Sequence, residues 1–207
     1  MGFKYGYLII LLFTTFVFSQ KLEYSTLSIP DSLKQNANSV VRLNQIDIGI
    51  VSQRNMTVKT KRVVTVLNEK GLGAIDAVES YDKRTTIKAI EATVFDSDGK
   101  EIKKIKRKDF KDQSAADGVT VFSDNRYLYL DYTPIQYPFT IVYDSEIETS
   151  TTAFIPQWLP LTDYFLSVEK SVLNVNYPDN LGFRKMEFNF LNFKIKKTAD
   201  RKSTRLN

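Results

Sequence analysis

Alternation of apolar and polar side chains restricts the fold of this chain more than any other feature of the sequence. Over 139–148 the apolar positions Phe139, Ile141, Tyr143 and Ile147 are separated by mostly polar residues, as in a strand with one buried face. Further strand candidates are 58–67, 90–94, 100–105, 127–132, 166–177 and 183–195. Strands at this spacing with few helices between them predict an all-β protein, an antiparallel β-sandwich with few short helical turns.

Helical signals are weaker than the strand signals. The segment 32–43 predicts a helix capped at Asp31 or Ser32, although Asn36 and Asn38 lower its helix propensity. The segment 106–112 predicts one short helical turn. Both would be minor additions to the predicted sandwich.

The first nineteen residues have the layout of a secretory signal peptide. Lys4 supplies an early charge, 7–18 is apolar, and the small residue Ser19 precedes Gln20. The apolar run is shorter than the roughly 20 residues that a membrane-spanning helix needs. We therefore expect 1–19 to be removed, and the mature chain to be exported without stable insertion into the membrane.

The rest of the chain is expected to form one module over 20–199. An internal boundary is predicted near 150–160, where Pro156 and Pro160 interrupt the strand pattern. The last eight residues, 200–207, back-translate into a sequence similar to a common sequencing adapter, which indicates an artefact in place of a longer reading frame. A natural basic and disordered C-terminus is the alternative.

The chain contains no Cys and no His. It therefore lacks the imidazole or thiol of the usual nucleophilic triads and the ligands of Cys/His zinc sites. We expect no catalytic residue, no metal and no cofactor, and thus no enzyme in the chain as it stands. A pair of carboxylates could still serve a glycosidase, but most surface carboxylates are merely solvated. Much of the net charge of +5 comes from the two terminal segments, so no nucleic-acid partner is expected.

Two charged segments have both a structural and a functional interpretation. Asp96, Asp98 and Gly99 resemble the start of a calcium loop, but the downstream ligands are missing and a tight hairpin turn is favoured. The basic stretch 100–111 could contact anionic lipid, phosphate or glycan. A charged edge strand that prevents aggregation is the preferred interpretation.

Aromatic residues are concentrated around the break in the strand pattern. Phe154, Trp158 and Tyr164 could form a platform on which a sugar or peptide ligand stacks. Aromatic side chains are more often buried, and Pro156 and Pro160 fix the backbone on both sides of Trp158. We therefore expect Trp158 to anchor the sandwich, with the ligand platform as the alternative.

The order of these segments resembles a known family. The segments that carry the resemblance are 29–30, 38–43, 58–67, 98–100 and 154–160, and the similarity extends over 28–190. They resemble the domain of unknown function 3857 (DUF3857), a β-rich exported module that typically precedes a transglutaminase-like domain in Gram-negative bacteria. The resemblance implies location in the periplasm or cell envelope, with a downstream transglutaminase-like domain in the same polypeptide as the partner.

No catalytic residue of a transglutaminase-like domain can be matched to this chain, because such sites use Cys and His. The resemblance therefore implies a non-catalytic module that positions the downstream domain or presents peptide substrate to it. The alternative is a stand-alone module that binds envelope polysaccharide or peptide through the region of Trp158. A hydrolase that depends on carboxylates is the third hypothesis.

Overall fold

A computed structural model describes residues 23–115, 124–181, 186, 188, 195–200 and 203–206. The strands in this part of the chain are β1 (Ser39–Ser52), β2 (Asn55–Val66), β3 (Val78–Tyr81), β4 (Thr85–Phe95), β5 (Glu101–Lys106), β6 (Lys111–Ser114), β7 (Arg126–Tyr129), β8 (Phe139–Thr149), β9 (Leu166–Val168), β10 (Ser171–Asn176), β11 (Lys197–Asp200) and β12 (Ser203–Leu206). The helical elements are α1 (Asp31–Lys34) and the 3-10 turns Thr26–Ser28, Glu69–Ile75, Arg107–Asp109 and Asp179–Leu181.

The strands form two sheets. In the large sheet the order is β11-β12-β10-β1-β2-β8-β4-β5, with β9 pairing alongside β10 on the same side of β1. The small sheet has the order β3-β7-β6. The prediction of an all-β fold with few short helical turns is confirmed. Pairing among the described strands is antiparallel, as expected, except that β1 runs parallel to β9 and β10.

One face of the large sheet, the inner face, carries most of the core. At one end it is covered by the small sheet and the 3-10 turn Glu69–Ile75, which together enclose the larger core cluster. Its members come from β1, β2, β4, β5, β8 and β9 and from the covering segments, and they include Val64, Ile90, Leu128, Phe139 and Ile141. Burial of these side chains is the main force that holds the two sheets together.

A smaller core cluster lies farther along the same face. It is built from Ile48, Ile50, Met56, Val58, Leu173 and Val175, which belong to β1, β2 and β10. The segment that follows β8 crosses this cluster without forming a strand, in agreement with the break predicted at Pro156 and Pro160. Trp158 of this segment packs against the cluster. The strands on either side of that segment, β8 and β9, both belong to the large sheet.

The helix predicted over 32–43 is wrong for most of its length. Only Asp31–Lys34 is helical, because Asn36 adopts a left-handed conformation with φ 60° and turns the chain into β1 at Ser39. Beyond this point the β-branched side chains of Val40 and Val41 favour the strand. Their complete burial against the neighbouring strands outweighs the local helical signal.

The remaining local predictions have the following outcomes. The turn at Asp96 is confirmed, since its Oδ1 accepts hydrogen bonds from the backbone N–H groups of Asp98 and Lys100 at 3.1 and 2.8 Å. The basic stretch forms the edge strand β5 and then the predicted helical turn. The strand expected at 127–132 is shorter, at Arg126–Tyr129, and that expected at 166–177 is split into β9 and β10.

Three predictions fall partly or wholly on residues that the structure does not describe. The signal peptide at 1–19 lies outside the described residues, as does most of the strand expected at 183–195. The terminal segment predicted to be an artefact contributes its described backbone to β11 and β12, and its origin stays a prediction. Within the described ranges, no helix has both the length and the apolar character that crossing a membrane requires.

Candidate functional site

A cleft of about 450 Å³ opens between β3 and the segment 151–156. Its floor is apolar and consists of Met56 and Val58 from β2 and Ile147 from β8. One wall is the whole of β3 and the turn after it, and the other includes Thr151, Phe154 and Pro156. The volume of this cleft lies within the usual range of ligand-binding sites, and its apolar floor lies between walls that are mostly polar.

Polar side chains interrupt the apolar pattern of β2 and β8 beneath this cleft. On the inner face, Val64 of β2 lies opposite Ile141 of β8. The next two inward-facing pairs are polar, Arg62 with Tyr143 and Thr60 with Ser145. The pattern returns to apolar at Val58 and Ile147. The polar rows therefore lie next to the floor of the cleft.

The carboxylate of Glu79 projects from β3 toward both of these rows. Its Oε1 accepts hydrogen bonds from Ser145 Oγ at 2.5 Å and from Tyr143 OH at 3.2 Å. Burial raises the pKa of Glu79, and the two hydrogen bonds oppose that rise only in part. Burial also raises the pKa of Tyr143, and the nearby charge of Glu79 adds to the rise.

Arg62 is buried next to this group, and its role is structural. Its Nε and Nη2 both donate to the backbone carbonyl of Ala74, at 3.2 and 3.0 Å. Burial lowers the pKa of Arg62, while the charge of Asp76 works in the opposite direction. Asp76 ends the 3-10 turn in a left-handed conformation with φ 46°. The guanidinium thus fixes the segment that leads into β3.

Asp82 is the second carboxylate that lines the cleft. Its Oδ1 accepts hydrogen bonds from the backbone N–H groups of Arg84 and Thr85 at 2.8 and 2.6 Å. Desolvation acts to raise the pKa of Asp82, but these hydrogen bonds outweigh it and the pKa is lowered. The cleft therefore holds one carboxyl group with a raised pKa and one with a lowered pKa.

Stability should depend on pH through Glu79. Because the pKa of Glu79 is higher in the folded than in the unfolded chain, the folded protein binds this proton more tightly. The protonated carboxyl group of Glu79 therefore stabilises the fold fully below about pH 4, the usual pKa range of glutamate. This stabilisation is lost as the pH rises through the raised pKa of Glu79. Glu79→Gln cannot titrate, so it should gain in free energy of unfolding relative to the wild type as pH rises.

Chemical denaturation at a series of pH values from acid to neutral measures this difference. The control is Glu101→Gln, the same change on the exposed edge strand β5. We expect the control to follow the wild-type profile. A difference between Glu79→Gln and wild type that stays constant with pH would contradict the assignment of a raised pKa to Glu79.

The structure places the three predicted aromatic residues in different surroundings. Phe154 is 80% exposed and lines the cleft. Trp158 is half-buried against the smaller core cluster, and its Nε1 donates to Ser171 Oγ at 2.9 Å. Tyr164 is 89% exposed and does not line the cleft. Of the three, Trp158 therefore has the environment expected of an anchor, and Phe154 is the one that lines the cleft.

The sequence did not predict the two carboxylates of this site, Glu79 and Asp82, or the strand β3 that forms its wall. Glu79 and Asp82 lie in a short polar segment of the sequence with no local motif. Among the described residues, no group of three or more carboxylates is arranged to hold a metal ion. The wall formed by β3 depends on tertiary pairing, since β3 pairs with β7 and its Glu79 side chain bonds to Tyr143 and Ser145 of the large sheet.

A family model matches most of the chain. The family is described as a domain of unknown function with a solved structure (DUF3857), and the match covers residues 52–207. No curated protein matches the sequence.

Comparison with solved structures gives matches at low sequence identity. A suggested protease from Parabacteroides distasonis has 13% identity and a TM-score of 0.57, over 82% of this chain and 35% of that protein. An M1 zinc metallopeptidase from Deinococcus radiodurans has 8% identity and a TM-score of 0.30, over 82% of this chain and 38% of that protein. The chain thus spans little more than a third of the length of either protein.

Proposed function

The chain belongs to the DUF3857 family, and from this membership we propose that it is an exported, non-catalytic module that presents a peptide to a transglutaminase-like domain of the same polypeptide. The proposal rests chiefly on the cleft between β3 and the segment 151–156. Its apolar floor and open strand wall are suited to an extended peptide. The similar fold occupies about a third of a suggested protease, which supports a module that works beside another domain.

The residue chemistry supports a binding role over catalysis. Acyl transfer of the transglutaminase type needs a thiolate activated by an imidazole, and the chain has neither Cys nor His. Tyr143 and Ser145 beneath the cleft both donate to one oxygen of Glu79, Oε1. In this proposal the module supplies orientation, and the reacting groups come from another domain.

A stand-alone module that binds envelope polysaccharide or peptide is the second candidate. The exposed ring of Phe154 at the rim of the cleft favours it, since aromatic faces pack on the apolar faces of sugars.

A hydrolase is the third candidate. It would use the two cleft carboxylates, whose pKa values are shifted in opposite directions, as an acid and base pair.

Calorimetry and mass spectrometry on one panel of ligands separate the three functions. The purified chain is mixed with peptides and with envelope glycans, and both binding and turnover are measured. We expect peptide binding without turnover. Preferential binding of glycans would favour the stand-alone polysaccharide-binding module instead.

Turnover needs a matched pair of variants to be interpreted. Activity that survives repurification, is lost in Glu79→Gln and persists in Glu101→Gln would overturn the proposal in favour of the hydrolase. Activity equal in both variants and removed by further purification would come from a contaminant and would leave the non-catalytic assignment standing.

A further inference from the structure

The strand β3 has a free edge. Within the described residues β3 pairs with β7 alone and forms one margin of the small sheet. The backbone N–H of Leu130 donates to the carbonyl of Ala77 at 2.9 Å, which makes these two residues a hydrogen-bonded pair. Hydrogen-bonded and non-hydrogen-bonded pairs alternate along an antiparallel ladder. The main-chain groups of Glu79 and Tyr81 therefore face β7, and those of Val78 and Ser80 point to the free edge.

The cleft runs along this free edge. Val78, Glu79, Ser80, Tyr81 and Asp82 all line it, which places one continuous stretch of main chain in its wall. The donors and acceptors of Val78 and Ser80 are two residues apart, a spacing of about 7 Å that an added strand matches. An extended segment paired there would lie above the apolar floor of the cleft.

The charges of the cleft indicate what such a segment carries. Among the described lining residues there are two carboxylates, Glu79 and Asp82, and no lysine or arginine. The two hydroxyl donors to Glu79 both bind Oε1, so Oε2 is left for a further donor. A basic side chain would supply both that donor and the opposite charge.

We propose that an extended peptide with a basic residue adds to β3 as a further strand of the small sheet. Its main chain pairs with Val78 and Ser80, its apolar side chains contact the cleft floor and the ring of Phe154, and its cationic group lies beside Glu79. This inference rests on the proposed peptide-presenting function and names the class of peptide. Strand addition provides affinity through main-chain hydrogen bonds and selectivity through the alternate side chains.

The test uses a synthetic hexapeptide of alternating valine and threonine in which lysine replaces the central valine, so that it lies on the same face as the other valines. The peptide is acetylated and amidated at its ends. Two further peptides replace the lysine with norleucine or with glutamate. Binding to the full chain is measured by calorimetry. We expect the order lysine, norleucine, glutamate, with about tenfold between the first and last because one charge-assisted hydrogen bond is lost.

A proline pair tests the edge itself. Ser80→Pro removes the N–H that faces the cleft, a change that strand edges tolerate because the ladder to β7 is not interrupted. Ser114→Pro is the matched control on β6, the opposite edge of the same sheet, where the N–H also points outward by the same alternation. We expect about tenfold weaker binding in Ser80→Pro and wild-type binding in Ser114→Pro.

Amide hydrogen exchange gives a readout that needs no variant. Peptide binding should slow exchange at Val78 and Ser80, whereas Glu79 and Tyr81 are already bonded to β7. Phe154→Ala covers the case in which Ser80→Pro does not fold, because Phe154 is exposed and its loss should weaken binding without affecting the melt.

The outcomes distinguish this inference from the proposed function. Peptide binding that is unaffected by Ser80→Pro and Phe154→Ala, with no protection at Val78 or Ser80, would overturn the β3 site and leave the peptide-binding function standing. A preference for the glutamate peptide would overturn the charge assignment. Absence of binding to all three hexapeptides and to the wider peptide panel would overturn both.

Discussion

Replacing Phe139 with alanine is expected to lower the free energy of unfolding by about 3–5 kcal/mol. Phe139 opens β8, which lies inside the large sheet between β2 and β4, and is only 1% exposed. Its ring packs edge-on against Tyr132 at a centroid distance of 5.6 Å and tilted against Tyr137 at 5.7 Å. Truncation removes these contacts and leaves a cavity that the close-packed neighbours can fill only in part.

Denaturant titration of Phe139→Ala and of Phe154→Ala compares the free energies of unfolding of two variants that lose the same side chain. The difference between them measures the effect of burial. Both variants lose the same ring, but Phe154 is 80% exposed, so its loss should change stability by less than about 0.5 kcal/mol. Equal losses in the two variants would show that the larger core cluster is not the main source of stability.

Gly71→Ala should be the second large effect, with a loss of about 3 kcal/mol or more. Gly71 lies in the 3-10 turn that covers the core, and a Cβ at this position would be 2.2 Å from the backbone carbonyl oxygen of Asn38. Asn38 cannot move freely, because its N–H donates to Phe165 and its carbonyl accepts from Leu67. The added methyl group must therefore displace the turn from β1.

Gly73→Ala is the matched control in the same turn. Its added Cβ would have no atom within 4 Å, and the residue does not have a left-handed conformation. We expect this variant to be neutral or stabilised by up to about 1 kcal/mol, since alanine reduces the entropy of the unfolded chain. Thermal melts compare the two, and a midpoint for Gly71→Ala equal to that of Gly73→Ala would refute the close approach to Asn38.

Strands with one buried face were predictable from local sequence. In β4, Ile90, Ala92 and Val94 face the core, while Glu91 and Thr93 do not. The alternation of apolar and polar residues in the sequence therefore matches the alternation of buried and partly exposed residues in the structure. The turn at Asp96 follows from side-chain oxygens that bond to nearby backbone groups, a strictly local interaction. Predictions of this kind need no knowledge of the partner strand.

The strand β1 was missed because its pattern changes within the strand. It pairs on both sides, and an irregularity between Val41 and Leu43 shifts the phase of the alternation. The signal that remained was the run Ile46, Ile48 and Ile50, whose alternation with polar or small residues indicates a strand. The parallel pairing of β1 with β10 has no local signature, because it depends on the path of the chain through both sheets.

The candidate site was only partly predictable for the same reason. Of the aromatic residues concentrated around this segment, Phe154 lines the cleft and Trp158 packs against the smaller core cluster, and a ligand-binding role for either stays a prediction. Nothing in the sequence around Glu79 indicates that Tyr143 and Ser145, more than 60 residues later, donate to its carboxylate. Sites formed between two sheets emerge from tertiary pairing, so a single sequence shows their parts and not their assembly.

The position of β1 has a consequence for how the chain folds. Its neighbour β10 is distant in sequence, since the hydrogen-bonded side chains of Asp47 and Asn174 are 127 residues apart. Joining β1 to β10 closes a long loop, and the chain loses conformational entropy before the contacts between the two strands stabilise the fold. This order of events makes folding slow. Until β10 docks, the apolar residues of β1 lie beside an open strand edge to which other chains can pair. Refolding should therefore compete with aggregation most strongly at the step that joins β1 to β10.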